Sequence, residues 1–175
     1  MSKDYTGRKY NIVPYDPDWI NQFDSKRKIL SEIFEDRVVS FEHVGSTAVP
    51  GLAGKPVIDI LVLVDDITTT FALNQKMESA GFKNLGEYVM PGSRLFVEES
   101  GDTRLVNIHV FPKNHPHVKE MLDLRNYLRS HTDTVKEYSK LKSDLYAKYP
   151  NDYGEYRKQK DEWMNNLKEQ LTRTI

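Results

Sequence analysis

Residues 42–62 read EHVGSTAVPGLAGKPVIDILV: a polar strand end, a Gly45-Ser46 pair, a small-residue loop with two prolines and one lysine, and an aspartate inside an apolar run. The segment is either a tight connection between two strands or a site for a phosphate-bearing ligand and a metal ion. VVSFEHV (Val38–Val44) before it is strand-like. PVIDILVLV (Pro56–Val64) after it is apolar on both faces, as a central buried strand would be. A Gly-Ser turn directly after a strand lets backbone N–H groups and a hydroxyl face one acceptor. Thr47-Ala48-Val49 can add a short helical turn whose N-terminus favours an anion. Asp59, thirteen residues after Ser46, must be paired, hydrogen-bonded or metal-bound if it is buried. One or two carboxylates together with phosphate oxygens suit Mg²⁺. In the structural alternative Asp59 lies at the exposed end of its strand and accepts a bond from Lys55 or a loop N–H.

Working outward, KYNIVPY (Lys9–Tyr15) reads as a short strand. The next segment has Asp16 as N-cap and Pro17 at the first helical position, with Trp19, Ile20, Phe23, Leu30 and Ile33 at helical spacing. TTTFALNQKMESAG predicts an amphipathic helix ending at Gly81, and RLFVEES and TRLVNIHVF form a hairpin across Gly101-Asp102. In LVNIHVF, Val106, Ile108 and Val110 make the core side, so Asn107 and His109 face the opposite side. His109 is then a metal ligand, a general base or a satisfied structural histidine. Glu42 and His43 precede the turn, one pointing in and the other out. A set of His43, His109 and Asp59 would suit Zn²⁺, Mn²⁺ or Ni²⁺ better than Mg²⁺. His115 and His117 cap the helix that follows.

From residue 117 the pattern becomes three helices, over 117–131, 133–148 and 152–172. At about 100° per residue, Arg125 and Arg129 fall within the apolar arc of the first. Lys142 falls within that of the second and Lys160 within that of the third. Long cationic side chains can snorkel or pair with Asp59 or Glu42. Three helices doing so together predict a helical layer over a polar, anion-accepting cleft, where Arg forks and Lys ammonium groups hold phosphate. Tyrosines among them would bond a ribose or stack on a base. Arg94, in PGSRLFVEES, is expected on a hairpin beside that cleft.

YDPDWINQF, EHVGSTAVPGLAGKPVIDILV, NIHVF, LRNYLR and YSKLK, in this order from about Ile12 to Trp163, resemble the GrpB family. The family is described as a predicted branch of the nucleotidyltransferase superfamily, with relatives fused behind dephospho-CoA kinase. The pattern of elements reads as an α+β fold, residues 1–114 forming a mixed sheet with helices and 115–175 a helical segment packed over the cleft as part of the same unit. The resemblance implies that the sheet with its flanking helices is nucleotidyltransferase-like. It also implies a Gly-Ser turn, two alternating carboxylates on the next strand and a third on a later strand. Gly45-Ser46 and Asp59 match. Leu61 stands where the second acid belongs, and the later strand offers Asn107 and His109. Two metal ions held by three acids would stabilise both oxygens in phosphoryl transfer, and this chain has one such acid in place.

The expected site follows. Asp59 and His109 are the catalytic candidates. Gly45, Ser46, Thr47, Lys55, Arg94, Arg125, Arg129, Lys142 and Lys160 are the phosphate-binding candidates. Asp59, Glu42, His43 and His109 are the metal-ligand candidates, with Mg²⁺ or Mn²⁺ as the cation. The chain is then either a transferase moving a nucleotidyl or phosphoryl group, or a module that holds a nucleotide or coenzyme A-like phosphate without chemistry. A partner-interaction protein is a third reading, resting only on the fusions. The 175 residues suffice for one domain with a real core. Net charge −1 and the lack of a basic stripe argue against nucleic acid as main ligand, although a tRNA end in the cleft stays open. No cysteine is present, so disulfides and thiolate metal sites are excluded, and no apolar run of membrane-spanning length occurs. The expected location is cytoplasmic, with no membrane partner.

Overall fold

The computed structural model describes residues 7–173. At its centre is a five-stranded mixed sheet in the order β1-β2-β5-β4-β3. The strands are β1 (Val38–Val44), β2 (Ile58–Val64), β3 (Lys83–Asn84), β4 (Arg94–Ser100) and β5 (Thr103–Pro112). β2 and β5 run parallel, and the other neighbouring pairs are antiparallel. The register sets Val44, Asp59 and Asn107 side by side, and Glu42, Leu61 and His109 in the next row. Residues directly opposite across a ladder point to the same side, so these six share one face.

The other face carries Ile58, Ile60, Val62, Val106, Ile108 and Val110. They pack against Trp19, Leu30 and Phe34 of α1 (Trp19–Phe34) and Met77 of α2 (Asn74–Ser79). Each such side chain contributes about 1.5–3 kcal/mol when fully buried, so this layer is the main apolar source of stability. On the first face Val44, Leu61, Leu63 and Phe111 pack with Val118 of α3 (Pro116–Ser130). Val49 and Leu52, in the loop after Gly45, join Val135 and Tyr138 of α4 (Thr132–Lys148) and Leu167 of α5 (Tyr153–Arg173). Helices therefore cover both faces, which is why β2 reads as an unbroken apolar run.

Three local expectations change. The strand expected over residues 9–15 reduces to a single bridge, Val13 to Gly54, with N···O distances of 2.9 and 3.0 Å. Pro14 has no N–H with which to continue the ladder. α1 begins at Trp19, two residues later than the Pro17 start. Asp18 at the N-cap makes no side-chain cap bond; Asp16 instead closes the turn before the helix, its carboxylate accepting from Asp18 N and its carbonyl from Trp19 N. The helix expected over 68–81 is a 3₁₀ segment, Ile67–Leu73, followed by α2. Thr69 and Thr70 turn their hydroxyls onto the carbonyls of Asp66 and Ile67, the local competition that makes threonine a poor α-helix former.

Gly45 ends β1 with φ +74°, and a Cβ there would stand 2.4 Å from Asp59 Oδ2. Gly45→Ala is therefore expected to cost on the order of 2–4 kcal/mol of folding free energy, read as a lowered urea midpoint. An unchanged midpoint would mean that the strand end relaxes freely.

Candidate functional site

After Gly45 the chain makes one 3₁₀ turn, Ser46–Ala48, closed by Ala48 N on Gly45 O and Val49 N on Ser46 O. Lys142 reaches this turn from α4. Its Nζ donates to Ser46 Oγ at 2.6 Å and to Ala53 O at 2.7 Å, and lies 4.2 Å from the centre of the Tyr138 ring. Gly54 makes room for this approach, since a Cβ there would meet Ser46 Cβ at 2.7 Å. Lys142 is 1% exposed. Burial, with the neighbouring charges of Lys160 and Lys55, pushes its pKa well below the ordinary lysine range.

Across from this turn stands Asp59, its side chain 26% exposed. Its Oδ1 accepts from Asn107 Nδ2 at 2.8 Å and lies 3.3 Å from His109 Nε2. Burial opposes its ionisation. The hydrogen bond and charge of His109, the Asn107 bond and the charge of Lys55 outweigh that, so the carboxyl sits below its usual range. Nδ1 of His109 is buried without a hydrogen-bond partner among the described residues.

Between this sheet face and α3–α5 lies a cleft of about 470 Å³. Among the described residues eight cations line it: Lys142 from α4; Arg157, Lys160 and Lys168 from α5; Arg125 from α3; and Arg8, Lys55 and Arg104 from the sheet side. Asp59 and Asp161 are the acids among the described residues that line it. Asp161 is bound by Arg157 and Lys160. The cleft is thus locally cationic in a protein of net charge −1, and its walls of low dielectric concentrate that field on whatever enters.

Of the expected residues, Gly45, Ser46, Lys55, Asp59, His109, Arg125, Lys142 and Lys160 meet in this cleft. Five lie elsewhere. Arg94 begins β4 on the opposite sheet face, where it is buried between the Phe71 and Phe96 rings and donates to Thr70 Oγ1 and Asn74 Oδ1. His43 also points to that face, stacked on Phe23, with Nε2 2.9 Å from Thr47 Oγ1. Burial pushes the His43 imidazole down to about 4; the charges of Arg129 and Arg125 add to this, while Asp59 opposes it. Thr47 is buried, its hydroxyl engaged with His43 and the Val57 carbonyl rather than turned to the cleft. Arg129 clamps the turn from outside, its Nε donating to Ala48 O at 2.8 Å. Glu42 lies outside the cleft lining and accepts from Arg125 at 2.7 Å.

These positions bear on the metal set. The strand alternation that points His43 away from His109 dissolves the His43–His109–Asp59 grouping. Among the described residues no three His, Cys, Asp or Glu side chains converge to hold a metal ion. A two-metal set does not fit the donors present: Leu61 is fully buried in the apolar cluster beneath α3, and Asn107 and His109 occupy the later strand.

Arg8, Arg104, Arg157 and Lys168 line the cleft as well, beyond the residues expected from the sequence. Arg157, Lys160, Met164 and Lys168 make one helical stripe at steps of three, four and four, a signal that was readable. Arg8 lies in an irregular segment and Arg104 on a strand; neither carries a local pattern.

A family model described as GrpB protein matches residues 9–170. The UPF0157 protein YqkA of Bacillus subtilis is 32% identical over 97% of the chain, and the chain spans 49% of that relative's length. A protein named dephospho-CoA kinase, from Mycolicibacterium paratuberculosis, is 26% identical over 89% of the chain and 44% of its own length. The crystal structure of the conserved protein GrpB from Enterococcus faecalis superposes with a TM-score of 0.87 at 29% identity, covering 94% of this chain and 98% of that one. The Cid1 poly(U) polymerase, in a structure described as bound to Mg and 3′-dATP, gives a TM-score of 0.54 at 16% identity over 85% of this chain and 49% of that one. That likeness is one of fold alone.

Leu61→Asp restores the expected acid and is predicted to lower stability by on the order of 3 kcal/mol, because the carboxylate enters an apolar layer. Urea denaturation with and without millimolar Mg²⁺ checks this. Recovery of stability by Mg²⁺ would mean that the position can serve a metal.

Proposed function

The chain belongs to the GrpB family, and we propose that its cleft binds the phosphate groups of a nucleotide or coenzyme A-like ligand without two-metal transfer. The observation that carries this is Lys142: a buried lysine bonded to the hydroxyl of a Gly-Ser turn, on the wall of a cleft whose described residues include eight cations and two acids. Lys142 donates to Ser46 Oγ, which leaves the serine hydroxyl proton for an acceptor in the cleft. Lys160 and Arg125 reach the same space from α5 and α3. A phosphate entering there meets directed donors and fixed positive charge, the combination that makes such bonds strong. The relative named dephospho-CoA kinase favours a coenzyme A-like ligand. Tyr138, Tyr153 and Tyr156 border the cleft as buried rings already packed against Trp163, Tyr10 and one another, so they wall it rather than stack on a base.

A second reading, nucleotidyl or phosphoryl transfer with one divalent cation such as Mg²⁺ or Mn²⁺, draws on Asp59, whose carboxyl is held below its usual pKa on the cleft wall. Calorimetry separates the two. Binding of ATP, UTP or coenzyme A should persist in EDTA, and Lys142→Met should weaken it roughly ten- to a hundredfold, the value of a hydrogen bond to a charged group. No binding of any of these at millimolar concentration would overturn the proposal. Product formation that depends on Mg²⁺ and is lost in Asp59→Asn would replace it with the transfer reading.

Proton linkage gives a further check. The free protein lowers the pKa of Lys142, and a bound phosphate raises it again, so binding takes up a proton at any pH between the two values. Affinity should then fall as pH rises through that window. Titrations in buffers of different ionisation enthalpy should report up to about one proton taken up per ligand, and Lys142→Met should remove that uptake.

A further inference from the structure

Beside the cleft, along the β4–β5 hairpin, runs a second groove of about 380 Å³. Arg8, Lys55 and Arg104 line both cavities, so the two are adjoining compartments that share a boundary. Lys9, Tyr10 and Thr103 belong to the groove alone.

The boundary is built with directed contacts. Lys55 Nζ donates to the Tyr153 hydroxyl at 2.5 Å and lies 4.6 Å from the centre of that ring, and Arg8 Cζ lies 4.7 Å from the same centre. Tyr153 itself packs against Tyr10, with ring centroids 5.1 Å apart. Arg104 is held from two sides: its Nε donates to Glu99 at 3.0 Å and one terminal nitrogen donates to Asn107 Oδ1 at 2.8 Å. Asn107 in turn donates to Asp59. A hydrogen-bonded line thus runs from the groove, through Arg104 and Asn107, to the acid of the cleft.

Among the described residues the groove has four cations, Arg8, Lys9, Lys55 and Arg104, against two acids, Asp102 and Glu99, and Glu99 is occupied by Arg104. Each compartment lies in the volume range of small-molecule sites, roughly 300–1,000 Å³. Neither alone accounts for cations placed so as to face both. We propose that the groove is a second anion subsite in line with the cleft, and that the ligand carries two phosphorylated units, one in each compartment. This rests on the phosphate-binding reading of the cleft and narrows it to ligands built of two phosphorylated units. The second unit can be the next nucleotide of an oligonucleotide end or the other half of a free dinucleoside polyphosphate.

Calorimetry on the full chain compares ATP with two probes, the 5′-phosphorylated dinucleotide pApA and diadenosine tetraphosphate. At least one should bind roughly tenfold or more tighter than ATP, because its second unit joins at high effective concentration. A gain for pApA alone points to an oligonucleotide end, and a gain for diadenosine tetraphosphate points to the free ligand. Lys9→Glu and Thr103→Glu, both exposed and outside the cleft lining, should each reduce that gain by roughly fivefold or more through charge repulsion. ATP affinity should stay unchanged in both variants. If ATP binds and neither two-unit probe binds tighter, the groove proposal is overturned and the cleft reading stands. The groove proposal also fails if the variants leave the gain intact or weaken ATP equally. If no probe binds at all, both fall.

Discussion

The bond between Lys142 and the Ser46 turn joins the helical layer to the sheet. A lysine brought to 1% exposure loses its hydration, a cost that is severe for an ammonium group without an acid beside it. Here the head group finds a hydroxyl, a carbonyl and a tyrosine face, which satisfy its hydrogens while the surrounding cations disfavour its charge. The contact links α4 to two points of the loop between β1 and β2, at Ser46 and at Ala53. Arg129 secures the same turn from α3 through Ala48 O. Two cations from two helices thereby hold one small-residue loop in place, and the cleft takes its shape from that loop.

The second constraint is parity along the strands. Because side chains alternate from face to face, one register sorts the polar residues into two groups. Asp59, Asn107 and His109 face the helical layer, while His43 and Arg94 face α1 and the 3₁₀ segment. The same parity sends Leu61 to the cleft-side face, one row beyond Asp59. There α3 crosses, and an apolar side chain fills the space. The acid-poor character of the site is thus the consequence of a helix packed over the position where a second carboxylate would stand. Charge in the cleft is supplied by the helices instead, and it is positive.

Much of this was readable from local pattern. The Gly-Ser turn, the apolar run of β2, the β4–β5 hairpin and the three C-terminal helices all follow from periodicity and turn chemistry that act over a few residues. Cations within apolar arcs were a sound guide to the cleft for Arg125, Lys142 and Lys160. The guide failed for Arg129, because an arc about 100° wide does not separate a side chain entering the cleft from one that ends on a backbone carbonyl at its rim. Arg94 was misplaced because its sequence neighbours say nothing of which face its strand end presents. The strand expected at 9–15 was lost because β-pairing depends on a partner as much as on propensity, and the partner here is a single loop residue, Gly54.

By itself the sequence determined the order of the main strands and the three C-terminal helices, their amphipathic faces, the single acid on β2 and the leucine two residues beyond it, since each depends on residue type and short-range spacing. The tertiary structure alone decided which cations converge, that Lys142 meets Ser46 across 96 residues, and that Arg8, Lys55 and Arg104 stand between two compartments. Those are contacts between segments far apart in the chain. Their partners are chosen by register and helix packing, which no window along the sequence contains.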